Sequence, residues 1–366
     1  MNANNTTVEN GTAEALHWAA KQELDEKPRQ YLGMSGFSEC ARQGWYNLRW
    51  AVLPEFDGRM ASLFDRGHRE EPVILARLKK AGLEVYGADD EGEQFALSEF
   101  NGWLRGHFDG IARNVPELVG TKNYNDWVLL EMKTHNKRSF TDLQNKGVTV
   151  SKPQHFNQMQ AYMHFSGNDK DRLKFALYIA VCKDDDHLHV ELISYDKEIG
   201  AALARRAENT IFDDEPPPRP YKNASNMQCR FCDFSEICHS TRLPLPNCRT
   251  CAHVDFNRDG KLNCTLKGHE ITDQWVAMDG CDDHIYNPHM LNHEWVQSSS
   301  AENWAEFRTH EGRTFKNGSR TQDVFRSKEL YELDPKMLGD PNLIALREKF
   351  DVEVIEHEDF DDEIPF

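Results

Sequence analysis

No stretch of this 366-residue chain approaches the roughly 20 apolar residues that cross a bilayer as a helix. The first twelve residues also lack the apolar core of a secretion signal. Both absences point away from a membrane partner and toward the cytoplasm, where thiols stay reduced. Basic charge is short as well: 43 Lys and Arg face 61 Asp and Glu, a balance of −18. On its face that argues against nucleic acid. Internal repeats are missing, so a solenoid is not expected.

The shortage of positive charge is uneven. From Asp351 to Phe366 there are eight acids and no Lys or Arg, so this tail alone carries −8. From Glu131 to Lys152 five basic residues (Lys133, Lys137, Arg138, Lys146, Lys152) outnumber two acids. Local charge therefore permits DNA where net charge does not favour it. The length suffices for a full core, expected as one main domain with an appendage. Nine cysteines in a reducing compartment suggest metal ligation more than disulfides.

Residues 1–28 read as a flexible polar start with one weak helical stretch, Ala13 to Leu24. Helices are expected from about Cys40 to Trp50 and from Asp65 to Ala81, the latter with Gly82 as its stop and Pro72 near its first turns. Strands are expected from Phe108 to Arg113 and from Trp127 to Lys133, followed by a helix from Gln154 to Phe165. Two β-rich runs, Lys174 to Cys182 and His187 to Tyr195, flank a hairpin signal, and Lys197 to Ile211 reads as a helix. The proline-rich stretch Asp213 to Tyr221 reads as a stiff linker. This alternation implies an α/β core. Residues 29–240 are expected to form that domain, 241–291 a cysteine-rich module, 292–350 a small mixed unit, and 351–366 a disordered acidic tail.

Residues i and i+2 of a strand share a face, so Glu131 and Lys133 project together while Leu130 and Met132 pack the other way. Asp109, on a neighbouring strand, reaches the same point. Two carboxylates and a lysine suit metal-assisted phosphodiester hydrolysis: oxygen ligands hold Mg²⁺ or Mn²⁺, and the lysine orients or deprotonates the attacking water. His68 and Glu71, three apart on the preceding helix, share a face, and either can complete a metal shell. Gln158 and Tyr162, four apart, would face the site from the next helix.

In this order the motifs resemble the PD-(D/E)xK nuclease superfamily, in its RecB-like and lambda-exonuclease-like branch, over roughly residues 30 to 240. The resemblance implies a restriction-endonuclease-like core, a mixed sheet flanked by helices. It aligns Glu71, after Gly67, with the family's helix carboxylate and leaves His68 beside that register. It puts the family's Asp on Asp109, its Glu-x-Lys on Glu131 and Lys133, and its Gln-x3-Tyr on Gln158 and Tyr162, which would contact DNA or orient the site. The implied activity is a DNA exonuclease acting on single strands or duplex ends, in phage or bacterial recombination, replication or repair. A nuclease of CRISPR adaptation or defence is the enzymatic alternative.

Cys229-x2-Cys232-x5-Cys238 places three thiolates on a compact turn, with Cys40 a distant fourth. Four thiolates fit either zinc or an iron–sulfur cubane. The same arrangement in CRISPR-associated exonucleases and the AddB nuclease domain implies a 4Fe–4S cluster stapling the chain before the nuclease core to the chain after it. Cys248-x2-Cys251-x12-Cys264-x16-Cys281 resembles a zinc ribbon, with His253, His269 and His284 as nearby substitutes. Cys182 is left as a core residue.

The last residues, Glu358 to Phe366, resemble the acidic tip of bacterial single-stranded-DNA-binding protein, with Glu363 where Asp is usual. That resemblance implies docking of Ile364, Pro365 and Phe366 to host proteins that read the tip, the acids steering approach. A non-enzymatic mimic of that tail is the remaining alternative, and it would not need Glu131-x-Lys133.

Overall fold

The computed structural model describes residues 11–24, 27–37 and 40–350. The acidic tail with Ile364, Pro365 and Phe366, and residues 1–10, lie outside them. The chain begins with α1 (Gly11–Gln22), β1 (Leu32–Gly33), α2 (Ala41–Leu48) and α3 (Gly58–Lys80). Four short strands follow: β2 (Glu84–Tyr86), β3 (Ala96–Glu99), β4 (Leu104–His107) and β5 (Gly110–Arg113). Next come β6 (Val128–His135), α4 (Lys137–Ser151), α5 (Pro153–Phe165), β7 (Phe175–Cys182), β8 (Leu188–Ser194) and α6 (Lys197–Phe212).

The main sheet has five strands in the order β2-β5-β6-β7-β8, and only β6 and β7 run parallel. Joining two parallel neighbours requires a crossover, which α4 and α5 supply. Strand β7 (FALYIAVC) is buried from Ala176 to Cys182 because both faces are covered. On one face Ile74, Leu75 and Leu78 of α3 pack against Val128, Leu130, Met132, Leu177 and Ile179. On the other, Phe140, Leu143, Met159 and Leu203 of α4, α5 and α6 pack against Leu129, Tyr178 and Ala180. A smaller sheet, β1-β4-β3, flanks this second layer. The mixed sheets flanked by helices agree with the α/β expectation.

Helix α3 is longer than the sequence pattern predicts. Asp57 caps it, its carboxylate accepting from Met60 N at 2.7 Å, so the helix starts well before Asp65. Pro72 therefore sits in the helix interior rather than near the first turns. Lacking an N–H, it leaves the carbonyl of His68 without its i+4 donor. Helix α4, which the sequence pattern does not announce, is capped by Asn136 and interrupted at Gly147, where φ is +71°.

The remaining elements are α7 (Met227–Arg230), α8 (Ser235–His239), a three-stranded sheet of β9 (Val254–Phe256), β10 (Leu262–Cys264) and β11 (His269–Glu270), and α9 (Gln274–Asp279). Residues 292–350 form a four-stranded sheet, β12 (Glu294–Ser299), β13 (Trp304–Arg308), β14 (Thr314–Gly318) and β15 (Val324–Phe325), with α10 (Ser327–Glu332) and α11 (Pro341–Phe350).

Two cores cross the expected boundary near residue 240. Phe256, Leu262 and Ala277 join the core beneath the main sheet. Trp45 and Tyr46 of α2 share a second core with Phe234, Ile237, Tyr286, Phe307 and Phe315. The proline-rich stretch is tied down rather than left as a spacer. Trp45 Nε1 and Arg49 Nη2 donate to Asp213 O at 2.8 and 2.9 Å, and Arg42 Nη1 donates to Pro217 O at 3.0 Å. Arg49 stacks 3.9 Å over the Trp45 ring and is 2% exposed. Burial lowers its pKa to about 9.

Candidate active site

The pairing of β6 with its neighbours decides which side chains meet. Glu131 is paired with Tyr178 of β7 and Lys133 with Ala180, so Glu131, Lys133, His135 and Tyr178 share one sheet face. Gly110 pairs with Leu130, which puts Asp109, one residue earlier, beside Glu131. Asp109 Oδ2 accepts from Met132 N at 2.6 Å. The carboxylate is thus tied to the strand that carries Glu131 and Lys133. Two glycines allow this corner. Gly110 has φ of +151°, and a Cβ there would lie 2.6 Å from Tyr86 O. A Cβ on Gly106 would lie 2.6 Å from the Tyr162 ring.

Glu131 is fully buried, and Lys133 Nζ forms an ion pair with its Oε1. No described group hydrogen-bonds Oε2, which is sealed from solvent. Burial, with Asp109 and Glu71 adding to it, outweighs Lys133 and pushes the Glu131 carboxyl up to about 7. Burial alone would lower Lys133, yet Glu131, Asp109 and Glu71 around it hold the ammonium at about 12. Burial also raises Asp109 and Glu71, with Lys133 and His68 acting against it. Glu71 is half-buried, whereas His68 on the same helix is exposed. Three carboxylates thus surround one lysine.

Gln158 and Tyr162 lie on the face of α5 that meets this corner. Tyr162, 1% exposed, donates to His107 O at 2.7 Å and accepts from Gln158 Nε2 at 3.0 Å. Both side chains are buried, a placement suited to orienting the Asp109 corner. Burial raises the Tyr162 hydroxyl well above its ordinary pKa, keeping it a neutral donor.

The sequence pattern does not single out the hydrogen-bonded set beside Glu131. Tyr178 OH stands 2.9 Å from His135 Nε2 and 2.8 Å from His155 Nδ1, and His135 Nδ1 stands 3.0 Å from Ser139 Oγ. Burial, then nearby lysines, lowers His135 to about 4 and His155 to about 3, so both rings are neutral near pH 7. The only sequence signal was helical spacing: His155 precedes Gln158 by three and Tyr162 by seven. Of the basic run, Lys137 pairs with Asp185, Lys146 pairs with Asp142 at 2.6 Å, and Lys152 Nζ donates to Ser151 Oγ at 2.8 Å.

Cys40, Cys229, Cys232 and Cys238 line one cavity of about 390 Å³. Cys40 Sγ accepts from Gln43 N at 3.4 Å. Burial raises Cys232 to about 11, with Cys40 and Cys238 close enough to add to it. Cys248 lies close enough to Cys264 and Cys281, and Cys251 to Cys248 and Cys281, for their thiols to act on one another. Burial first, then neighbouring thiols, raises Cys248 to about 11 and Cys251 to about 12. Backbone N–H groups of His253 and Lys267 point at Cys251 Sγ and Cys264 Sγ at 3.5 and 3.4 Å. His284 is not a substitute ligand, because its ring nitrogens are taken by Thr250 Oγ1 at 3.2 Å and Ser327 Oγ at 2.6 Å. His253 spends Nε2 on Asn303 at 2.7 Å, and His269 is exposed.

Among the described residues, no three or more His, Cys, Asp or Glu side chains stand in an arrangement that would hold a metal ion. The donor sets nevertheless suit cations. At the carboxylate cluster the fitting observation is the buried, unpaired Oε2 of Glu131, with an ammonium drawn in among the acids. At the first cysteine set it is four thiols lining one cavity, and at the second the neighbouring thiols of Cys248, Cys264 and Cys281.

No protein-family model matches the chain, and no curated protein matches it. Solved structures do show likeness. SSO0001 is 16% identical with a TM-score of 0.36, over 62% of this chain and 96% of that one. An alkaline exonuclease (LHK-Exo) from Laribacter hongkongensis is 15% identical with a TM-score of 0.31, over 50% of this chain and 87% of its own. The same exonuclease in complex with dAMP gives 16% and 0.34, over 54% and 90%. Likeness this slight carries no chemistry from those proteins to this chain, whose own residues must supply it.

Proposed function

We propose that this protein is a metal-dependent DNA nuclease of the PD-(D/E)xK kind, an exonuclease on single strands or duplex ends. The observation that supports it is the gathering of Glu71, Asp109 and Glu131 around Lys133, with Glu131 Oε2 buried and unpaired. Asp109 and Glu131, joined by Glu71 or by His68, are the residues to hold the ion. When bound, Mg²⁺ or Mn²⁺ supplies polarisation of a phosphoryl oxygen and a water of lowered pKa.

The chain's own residues do the positioning. Met132 N and the Tyr162–His107 bond hold the Asp109 corner in place before substrate arrives, which is the preorganisation that electrostatic catalysis needs. Lys133, held as an ammonium among Glu131, Asp109 and Glu71, orients the attacking water and faces the charge growing on the phosphate. Gln158 keeps the Tyr162 hydroxyl aimed at His107.

The first cysteine set is assigned to a 4Fe–4S cluster, with zinc the other ion that four thiolates accept; the second set is assigned to zinc. The acidic tail is assigned to host proteins that read the tip of single-stranded-DNA-binding protein, placing the enzyme in phage or bacterial recombination, replication or repair.

The test compares wild type with Lys133→Ala on end-labelled single- and double-stranded DNA in Mn²⁺. Cleavage by wild type alone is expected, and the label position gives polarity. Equal cleavage by both removes the assignment.

A further inference from the structure

We infer that His155 is a DNA-contacting residue of this site, presenting its Nε2–H to a phosphodiester oxygen, with Ser139, His135 and Tyr178 fixing the ring's direction. The inference rests on the nuclease reading and adds a residue to it.

Placement comes first. His155, Gln158 and Tyr162 share one face of α5, and Tyr162 from that face reaches the strand leading into Asp109. The Nδ1 edge of His155 is held 2.8 Å from Tyr178 OH. Tyr178 in turn is the β7 neighbour of Glu131. His155 lies close enough to Lys133 for that ammonium to act on its ring. It is half-buried, and its Nε2 is neither sealed from solvent nor hydrogen-bonded by a described group. One edge of the ring is anchored and the other has no hydrogen-bond partner among the described residues.

Proton counting then gives that second edge its character. Tyr178 OH has one hydrogen and stands between two ring nitrogens. In one polarity Ser139 OH donates to His135 Nδ1, His135 Nε2–H donates to Tyr178, and Tyr178 donates to His155 Nδ1. The hydrogen of His155 is then on Nε2. In the reverse polarity His155 Nδ1–H donates to Tyr178, Tyr178 donates to His135 Nε2, and His135 Nδ1–H donates to Ser139. Each polarity leaves one donor without a partner in the set, Ser139 OH in the reverse and His155 Nε2–H in the first, and a phosphate oxygen, an acceptor only, selects the first. That polarity ends in an N–H that can meet a phosphate oxygen. Burial keeps both rings neutral near pH 7, so the contact is a directed hydrogen bond rather than a bare charge.

The two histidine amide isosteres separate this role from a structural one. Gln puts an N–H near the Nε2 position and gives up the Tyr178 contact; Asn keeps a partner for Tyr178 and gives up Nε2. Binding of a fluorescent single-stranded oligonucleotide is read in Ca²⁺, and single-turnover cleavage in Mn²⁺, with melting curves checking the fold. His155→Asn is expected to lose about 10-fold in both readouts, the scale of one hydrogen bond to a charged group. His155→Gln is expected to stay within about 3-fold of wild type. Tyr178→Phe, which keeps the packing and frees the ring, is expected to fall between them. The opposite order, with Asn tolerated and Gln not, overturns the proposal and leaves His155 a buttress of Tyr178. If Lys133→Ala cleaves like wild type, the nuclease reading fails while the binding order still decides His155. Absence of DNA binding by wild type overturns both.

Discussion

The hydroxyl of Tyr162 on α5 donates to the carbonyl of His107, 2.7 Å away and two residues before Asp109. One buried hydrogen bond therefore joins the helix layer to the strand end that carries a site carboxylate. Tyr162→Phe leaves that carbonyl and the Gln158 amide without their partner in a dry place. A loss of about 1–3 kcal/mol in denaturant unfolding is expected, together with a drop in cleavage as the Asp109 corner loosens. Unchanged stability and rate would show that the bond holds nothing.

The pH dependence of stability can be assigned a sign. Glu131 titrates in the fold at about 7 against an ordinary 4.5, so the folded protein keeps a proton that the unfolded chain releases. Its contribution is full below pH 4.5 and lost as pH rises through about 7. His135 and His155, lowered from 6.5 to about 4 and about 3, act in the opposite sense, full above 6.5 and lost on acidification. Comparison with Glu131→Gln isolates the first effect. In metal-free buffer the variant should gain in Tm on wild type as pH rises from 4.5 to 7, and parallel curves would refute the buried-acid assignment. Mn²⁺ should stabilise wild type more above this titration than below it, because proton and metal compete for the same oxygens.

Cys232 lines the cavity shared with Cys40, Cys229 and Cys238, and it packs against the core containing Trp45 and Tyr46. Cys232→Ala should abolish the visible absorption of an iron–sulfur protein and lower the cooperativity of unfolding. Elemental analysis separates the metals, with iron expected at the first set and zinc, lost in Cys251→Ala, at the second. A colourless wild type with zinc alone at both sets would reassign the first.

Gly110 adopts φ of +151°, and any Cβ would meet Tyr86 O at 2.6 Å. Gly110→Ala must move either the β2–β5 pairing or the Asp109 backbone. The expected cost is about 1–3 kcal/mol, typical of forcing atoms into a packed site, with cleavage reduced more than DNA binding. Wild-type cleavage by this variant would show that Asp109 need not be so placed.

Deletion of Ile364 to Phe366 should abolish capture of the host proteins that bind the tip of single-stranded-DNA-binding protein, while cleavage of naked DNA stays unchanged. Loss of cleavage would mean that the tail serves the site itself.

Much of the site was legible from spacing. Alternation along β6 puts Glu131 and Lys133 on one face and Leu130 and Met132 on the other in any strand, whatever it packs against. The Gln158–Tyr162 interval likewise needs only a helix. Helix α4 was hidden because its apolar stripe is thin and Gly147 interrupts it, and the start of α3 was hidden because a capping Asp is common. His135 carried no pattern and His155 only its helical spacing to Gln158 and Tyr162, since the two are far apart in sequence and come together, ring centroids 5.9 Å apart, around Tyr178 on a third element.

By itself the sequence determined the order of the chemical groups and the local faces they occupy, because periodicity follows from backbone geometry. Tertiary structure alone decided that Glu131 is buried with an unpaired oxygen. It also decided that the proline-rich stretch is clasped by Arg42, Trp45 and Arg49, and that a tyrosine links two histidines beside the carboxylates. Those features depend on which surfaces exclude water together, and exclusion of water is a property of packed layers, which no single segment possesses.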